Sequence, residues 1–317
     1  MLEATVSFSG EMNIIVGLEG SNFWRENAGE RGIGEENGVS DLSSLPESCI
    51  SEIISLTSLT DACRATAISS AFKSAADSDT VWEKFLPSDY TEILSRSVTP
   101  VVYSTKKELY FRLNDTPILL DGGNLSFILN KWSGKKCYMI RARGLSIVWG
   151  DTPQYWRWTS LPESRFSEVA ELQAVCWLAI GGKMQTQMLS PKTIYAAYLV
   201  FKIGEKNFGL AVQSKASVRF VEESHEGAEV LNNTVYLELP ERIGGLRRRV
   251  SRLPTGWRPQ RRVDGWMEIK LGSFLMIMEI MVRWRCNLMR SNMVIGRVAS
   301  LLRALSFDLR SKSKLKR

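Results

Sequence analysis

A chain of 317 residues, 44% hydrophobic and 24% charged, is long enough for two domains and has the composition of a globular protein. Its net charge of +7 is unevenly spread, because residues 241–317 hold 19 Lys or Arg against 5 Asp or Glu. No apolar run approaches the roughly 18 residues that cross a bilayer, and no basic segment precedes an apolar one at the N-terminus. We therefore expect neither a secretory signal nor a membrane partner.

The sequence offers little material for catalysis or for metal binding. Its one histidine is His225, and its five cysteines have no metal-ligand or redox spacing. An odd number of scattered cysteines is typical of reduced thiols in a cytosolic or nuclear protein. Glycine-rich phosphate loops are also missing from the sequence. We predict no catalytic residue, no metal, no cofactor, and a cytoplasmic and nuclear location.

The N-terminal part divides into an irregular segment and a helical one. Residues 1–40 are rich in Gly, Glu, Asn and Ser without periodicity, which predicts a disordered leader. Residues 41–88 carry apolar side chains at helical spacing, which predicts a small three-helix domain. Thr60–Asp61 is the predicted cap of the second helix. A domain this small is marginally stable alone, so we expect it to pack on something else.

Residues 89–134 form a predicted connector that is aromatic and amphipathic. Thr105–Leu113 is expected to be a short helix and Ile118–Asp121 a buried turn. Such a composition favours a segment packed on a domain over a free tether.

From Lys135 onward the pattern changes to a period of two, with many β-branched and aromatic residues. Strands without a βαβ rhythm predict an antiparallel β-sandwich over residues 135–274. The fold class is therefore predicted as multidomain α+β, helical first and β second. The predicted strands are Lys136–Ala142, Glu171–Thr186, Thr193–Ile203, Phe208–Glu222, Thr234–Leu239 and Gly265–Leu271.

One loop in this region combines tryptophans with a polar turn, in the stretch SIVWGDTPQYWRW, residues 146–158. An indole face binds the C–H face of a sugar ring, and nearby carboxylates and amides bind its hydroxyls. The candidate carbohydrate-binding residues are Trp149, Asp151, Gln154, Tyr155 and Trp156.

Packing is the competing interpretation of these aromatic residues. Strand alternation puts Trp156 and Trp158 on the same face, so we expect one of the two to pack inward. Trp177 and Trp266 lie in apolar segments of predicted strands, and we expect both to be core or anchor residues.

The helical segment resembles an F-box. The likeness covers the opening Leu45-Pro46-Glu47, the pair Ile53-Ile54, the run Asp61-Ala62-Cys63-Arg64, and Val81-Trp82. It implies that an apolar face binds the Skp-type adaptor of a cullin ubiquitin ligase; the alternative is a plain helical hairpin in a core. The adaptor-binding residues implied are Leu45, Pro46, Ile50, Ile53, Ile54, Ile68, Phe72 and Trp82.

The β-rich segment resembles the phloem protein 2 lectin domain, which is related to Nictaba. The stretches GLSIVWGDTPQYWRW, FSEVAELQAVCWLAIGGKM, YAAYLVFKI and DGWMEIKLG carry the likeness. It implies a jelly-roll-like lectin that binds N-acetylglucosamine-containing glycans or glycoproteins, with Trp149 and Trp156 as contacts. Together the two segments resemble a plant F-box/phloem protein 2 protein. The implied function is the substrate receptor of an SCF-type E3 ubiquitin ligase that recognises glycosylated proteins. Two alternatives remain: a lectin without a ligase role, and a peptide-binding interaction module.

The basic C-terminal quarter has two parts. Seven arginines between Arg247 and Arg262 lie among Pro and Gly residues, which favours a solvated loop over a site for nucleic acid. Residues 275–317 show no strand alternation, whereas the resemblance implies an acidic loop and two more strands there. Plausible codons for Val282–Arg297, read one base back, give such an acidic turn and an alternating strand. We therefore predict a reading-frame change near Leu275, with the closing strands missing from the printed chain.

Overall fold

The computed structural model describes residues 45–175, 177–204, 210, 213–221, 233–238, 256–276, 283–289 and 302–311. Within these residues the α-helices all precede the strands, which confirms the predicted α+β class. The helices are α1 (Glu47–Ser55), α2 (Leu59–Ala65), α3 (Ser70–Asp77), α4 (Asp79–Phe85), α5 (Tyr90–Ser95) and α6 (Lys106–Asp115).

Serine caps mark the starts of α2 and α3. The Oγ of Ser58 accepts a hydrogen bond from the backbone N–H of Asp61, at 3.2 Å, and Ser69 caps α3 in the same way. The predicted cap at Thr60–Asp61 is wrong, because the capping serine lies just upstream. An extended backbone at Ser78, with ψ of 144°, separates α3 from α4. The domain therefore has four short helices where three were predicted.

Two antiparallel sheets follow. In the described part of the chain the larger sheet runs in the order β1-β2-β3-β14-β8-β12-β11, with β6 also paired to β14 and β5 to β6. The smaller sheet runs in the order β10-β9-β13-β7-β4. Their strands are β1 (Ile118–Leu120), β2 (Leu125–Leu129), β3 (Lys136–Ile140), β4 (Ser146–Ile147), β5 (Trp156–Thr159), β6 (Val169–Leu172), β7 (Ala179–Gln185), β8 (Thr193–Ile203), β9 (Gln213–Val221), β10 (Asn233–Tyr236), β11 (Gln260–Arg261), β12 (Met267–Met276), β13 (Arg283–Met289) and β14 (Leu302–Ser311).

The main core lies between the two sheets. Tyr195 and Leu199 of β8 belong to the same buried apolar cluster as Ile180 of β7. A Cβ placed on Gly272 of β12 would lie 2.6 Å from Cγ2 of Val218, so the sheets come very close at this point and only glycine fits there. The predicted sandwich is confirmed, and β8 has the predicted bounds.

The outer face of the larger sheet is also covered. Met139, Phe166, Val169, Val200 and Trp266 form a second buried apolar cluster. Both faces of β8 are therefore largely buried. Alternation along the strand predicted which side chains share a face, but it did not predict that both faces would be covered. Trp266 is buried, as expected for a core or anchor residue.

The predicted connector is part of the sandwich. Its helix is α6, close to the predicted bounds, but Ile118–Leu120 is a strand and β2 pairs with β3. A division at residue 134 thus cuts through a hairpin. The buried cluster runs without a break from the helices through α6 into the sheets, because Trp82 packs on Tyr110 and Phe111 at ring distances of 5.5 and 5.2 Å.

The prediction that the closing strands are missing is wrong. Strand β13 pairs with β7 and β9, and β14 pairs with β3 and β8. Sheet pairing uses backbone N–H and C=O groups, so a segment without clear alternation can still complete a sheet. The reading frame itself stays a prediction, which sequencing of the transcript across the Leu275 codon tests.

Several predicted features lie outside the described residues: the leader 1–40, His225 and the arginines Arg247, Arg248, Arg249 and Arg252. Of the described arginines in that cluster, Arg262 pairs with Asp264 and Glu268, each at 3.1 Å. Across the described ranges no helix has the length and apolar character needed to span a membrane. The same ranges contain no group of three or more His, Cys, Asp or Glu side chains suited to a metal ion.

Candidate functional sites

Three aromatic side chains, two of them exposed and one, Tyr155, partly buried, form a cluster at the loop after β4. Trp149 contacts Trp177 edge-on at a ring distance of 4.9 Å and Tyr155 at 5.3 Å. Trp149 and Trp177 are 37% and 38% exposed, which is high for such large apolar groups. We call Trp149, Tyr155 and Trp177 the aromatic platform.

The polar turn beside the platform is open to solvent. The Asp151 side chain is 98% exposed, and Gln154 is exposed as well. Arg143 lies 3.6 Å from a carboxylate oxygen of Asp151, but so exposed a pair is weak because water screens it. The carboxylate and the amide are therefore free to form hydrogen bonds with a ligand.

Trp156, a predicted ligand contact, has a different position. It is 2% exposed, and its indole N–H donates to the carbonyl oxygen of Val148 at 3.1 Å. Trp158 is half-buried, and its N–H donates to the Gly150 carbonyl at 2.9 Å. Because its ring is buried, Trp156 offers no surface to a ligand in this structure, and its predicted contact with sugar is not supported.

Trp177 is the member of the platform that sequence reasoning missed. It lies in the stretch QAVCWLAI, which is apolar enough to suggest one continuous strand from Glu171 to Thr186. The chain leaves the sheet between β6 and β7, and this break exposes Trp177. Of the two roles predicted for Trp177, core or anchor, this exposure excludes the first.

The predicted adaptor-binding residues fall into a buried group and an exposed group. Ile50, Ile54 and Trp82 are 2%, 3% and 0% exposed and form the inside of the helical domain. The N–H of Trp82 donates to the Ala76 carbonyl at 2.7 Å, and its ring packs on α6. These three side chains support the helices and have no surface available for a partner. Phe72 is partly buried.

The exposed apolar residues of the helical domain are the ones available to a partner. Ile53, Leu56 and Ile68 are 48%, 78% and 64% exposed. Leu56 was not predicted, because it lies just past the end of α1, outside the periodic pattern. We call the exposed group the docking residues: Leu45, Pro46, Ile53, Leu56 and Ile68.

Comparison with known proteins agrees with both regions. The family profile of Phloem protein 2 matches residues 135–313, and that of the F-box domain matches residues 42–84. The chain belongs to the phloem protein 2 family and carries an F-box, so it is an F-box protein with a lectin-like domain. The resemblances drawn from the sequence are confirmed, and the family match extends beyond the predicted domain end at residue 274.

Its relatives in Arabidopsis thaliana are named as F-box proteins, and the names of several also contain PP2-B. The chain is 46% identical to F-box protein PP2-B10 over 236 residues, which is 74% of this chain and 81% of that protein. It is 45% identical to F-box protein At2g02240 over 238 residues, covering 75% of this chain and 71% of the relative. It is 47% identical to the Putative F-box protein PP2-B2 over 241 residues, covering 75% and 74%. The F-box and lectin-like domains are typically adaptor or binding domains without catalysis.

Proposed function

We propose that this chain is the substrate receptor of an SCF-type E3 ubiquitin ligase and that it recognises glycosylated proteins through the aromatic platform. The observation that carries the proposal is the exposed contact between Trp149 and Trp177 beside an open carboxylate, Asp151. The F-box docks a Skp-type adaptor, and the cullin complex then modifies the bound glycoprotein.

The chemistry of the platform favours a sugar as the ligand. Two indole rings set edge to face present an apolar surface at which C–H groups of a pyranose can pack. Asp151 and Gln154 supply acceptors and a donor for hydroxyl and acetamido groups at its rim. N-acetylglucosamine offers both an apolar face and an N-acetyl group, so glycans containing it are the expected class.

The docking residues support the adaptor interaction. Ile53, Leu56 and Ile68 are partly in water in the isolated chain, and burial of their exposed parts by a partner would contribute on the order of 1 kcal/mol each, about half of the value for a whole side chain. The chain supplies no catalytic group of its own to this proposal. We place it in the cytoplasm and nucleus, since Cys49 and Cys63 are exposed, reduced thiols.

Two measurements on the full chain test the proposal. A glycan array should show binding to N-acetylglucosamine oligomers or N-glycan cores, and the double variant Trp149→Ala/Trp177→Ala should lose it. Co-purification with a Skp-type adaptor should survive that double variant. Adaptor binding without any glycan signal would favour the peptide-binding module, and glycan binding without the adaptor would favour a lectin with no ligase role.

A further inference from the structure

The loop that presents Trp149 has an unusual backbone. Trp149 has a φ of 56°, in the left-handed region that side chains other than glycine seldom adopt. Such a conformation costs energy, and it persists only where the surrounding structure holds it in place. Hydrogen bonds within the loop, from Gly150 N–H to the Ile147 carbonyl and from Thr152 N–H to the Trp149 carbonyl, provide part of that support.

The rest of the support comes from β5, beneath the loop. The indole N–H groups of Trp156 and Trp158 donate to the carbonyls of Val148 and Gly150, the residues on either side of Trp149. Both donors lie on the same face of one strand, two residues apart, so they hold the loop at two adjacent points.

Arg143 holds the second of these donors in place. Its guanidinium carbon lies 3.6 Å from the ring centre of Trp158, in cation–π contact. It also donates to a carboxylate oxygen of Glu168 at 3.3 Å and pairs with Asp151 of the same loop. Trp158 is thus fixed on one side by the arginine and bonded through its N–H to the loop.

We infer that Trp158, together with Trp156, is a positioning residue: the two indole N–H groups fix the backbone around Trp149 and so set the platform for the sugar. This inference rests on the proposed glycan recognition and gives a physical role to the tryptophans that do not face a ligand. The substitution Trp158→Phe removes the N–H donor and the five-membered ring, and it keeps a six-membered aromatic ring that can stack on Arg143.

The experiment compares the full-length wild type with Trp158→Phe and with a control, Trp82→Phe. The control loses a similar indole N–H to carbonyl bond, to Ala76, but in the F-box. We expect Trp158→Phe to weaken binding of triacetylchitotriose about fivefold to tenfold, the value of one hydrogen bond. Trp82→Phe should bind as the wild type does. Because Trp82 is fully buried, Trp82→Phe should lower the melting temperature at least as much as Trp158→Phe does, so lost stability alone cannot explain a loss of affinity confined to Trp158→Phe.

A second readout needs no ligand. In chains labelled with 5-fluorotryptophan, the fluorine NMR line of Trp149 is identified by its absence in Trp149→Phe. It should move or broaden in Trp158→Phe and stay in place in Trp82→Phe. An unchanged Trp149 line, or unchanged sugar affinity in Trp158→Phe, overturns the positioning role. If the wild type binds no sugar while the Trp149 line moves, the positioning role stands and the proposed function fails.

Discussion

At the scale of single residues, the tryptophans of one short stretch have opposite roles. Trp149 is exposed on a left-handed turn, whereas Trp156 is buried and its N–H bonds to the backbone of the loop at Val148. Nearness in sequence therefore does not indicate a shared function, because burial depends on which face of the strand the rest of the chain covers.

Alanine substitution should separate these roles. Trp156→Ala removes a 2% exposed ring and leaves a cavity, so we expect a loss of about 3–5 kcal/mol in the free energy of unfolding. Trp149→Ala should cost less than about 1 kcal/mol of stability, because part of its ring is already in water. It should weaken glycan binding by about 1–3 kcal/mol. Urea unfolding and a sugar titration measure the two effects; equal unfolding by both variants would show that Trp149 is a core residue.

At the scale of secondary-structure elements, helix α1 has one face toward the core and one toward solvent, and two neighbouring isoleucines lie on opposite faces. Ile54 is 3% exposed and Ile53 is 48% exposed. A carboxylate at position 54 would be buried without a partner, which costs several kcal/mol. A carboxylate at position 53 would lie in water and would disturb only a partner.

We therefore expect Ile53→Asp to abolish co-purification with the adaptor while the helical circular dichroism signal and melting temperature stay near wild type. Ile54→Asp should abolish co-purification as well, but by unfolding the helical domain, which the same spectra would show. Ile53→Ser is the control for loss of apolar area without charge. Wild-type adaptor binding by Ile53→Asp would exclude α1 from the docking surface.

A second prediction at this scale concerns an ion pair between Arg96, just after α5, and Asp121, in the turn between β1 and β2. The Arg96 guanidinium donates to both carboxylate oxygens of Asp121, at 2.9 and 2.7 Å, and this holds the pKa of Asp121 below its ordinary value. A lowered folded-state pKa means that the pair stabilises the fold above the unfolded pKa of about 4. That contribution is lost as the pH falls through the folded-state pKa.

Asp121→Asn tests this pH dependence. Asn also tolerates the left-handed backbone found there, with φ of 53°. Both side chains are about a third exposed, so we expect a loss of no more than about 1 kcal/mol at pH 7. The difference from wild type in urea unfolding should shrink as the pH falls below the unfolded-state pKa of about 4. A difference that stays constant with pH would contradict the assignment to this ion pair.

At the scale of the whole molecule, the F-box and the sandwich share one core. Trp82 of the F-box is fully buried and contacts both aromatic residues of α6, which itself contacts β2. Two ion pairs cross the same region: Lys107–Asp77 at 2.5 Å, and Lys136–Asp89 at 2.9 Å. A small helical domain that is marginal alone thus gains stability from packing on the larger one.

This shared core predicts cooperative unfolding. Trp82→Ala should destabilise the chain by about 3–5 kcal/mol, and the helical and near-ultraviolet signals should lose amplitude in one transition at the same denaturant concentration. The exposed Trp132, 70% exposed in the β2–β3 turn, provides a control substitution to Ala with little expected effect. Separate transitions, with only the helical one shifted, would contradict a continuous core.

The sequence by itself determined the class of fold, the order of the two domains and the family. Helical spacing located the small helical domain, whose motifs then carried the resemblance to an F-box. The period of two in TIYAAYLVFKI gave the bounds of β8, because local periodicity follows from backbone geometry alone. The helix caps and the boundary between α3 and α4 at Ser78 were harder to predict from the sequence, because single residues determine them.

Only the tertiary structure decided which tryptophans face water and where the sheets close. Trp177 is exposed because the chain leaves the sheet before β7, and Val200 is buried because Phe166 and Trp266 cover it. These outcomes depend on contacts between residues far apart in the sequence, which no local pattern contains. The closing strands likewise find their places through backbone pairing with neighbours distant along the chain, so the lack of alternation in residues 275–317 did not reveal them.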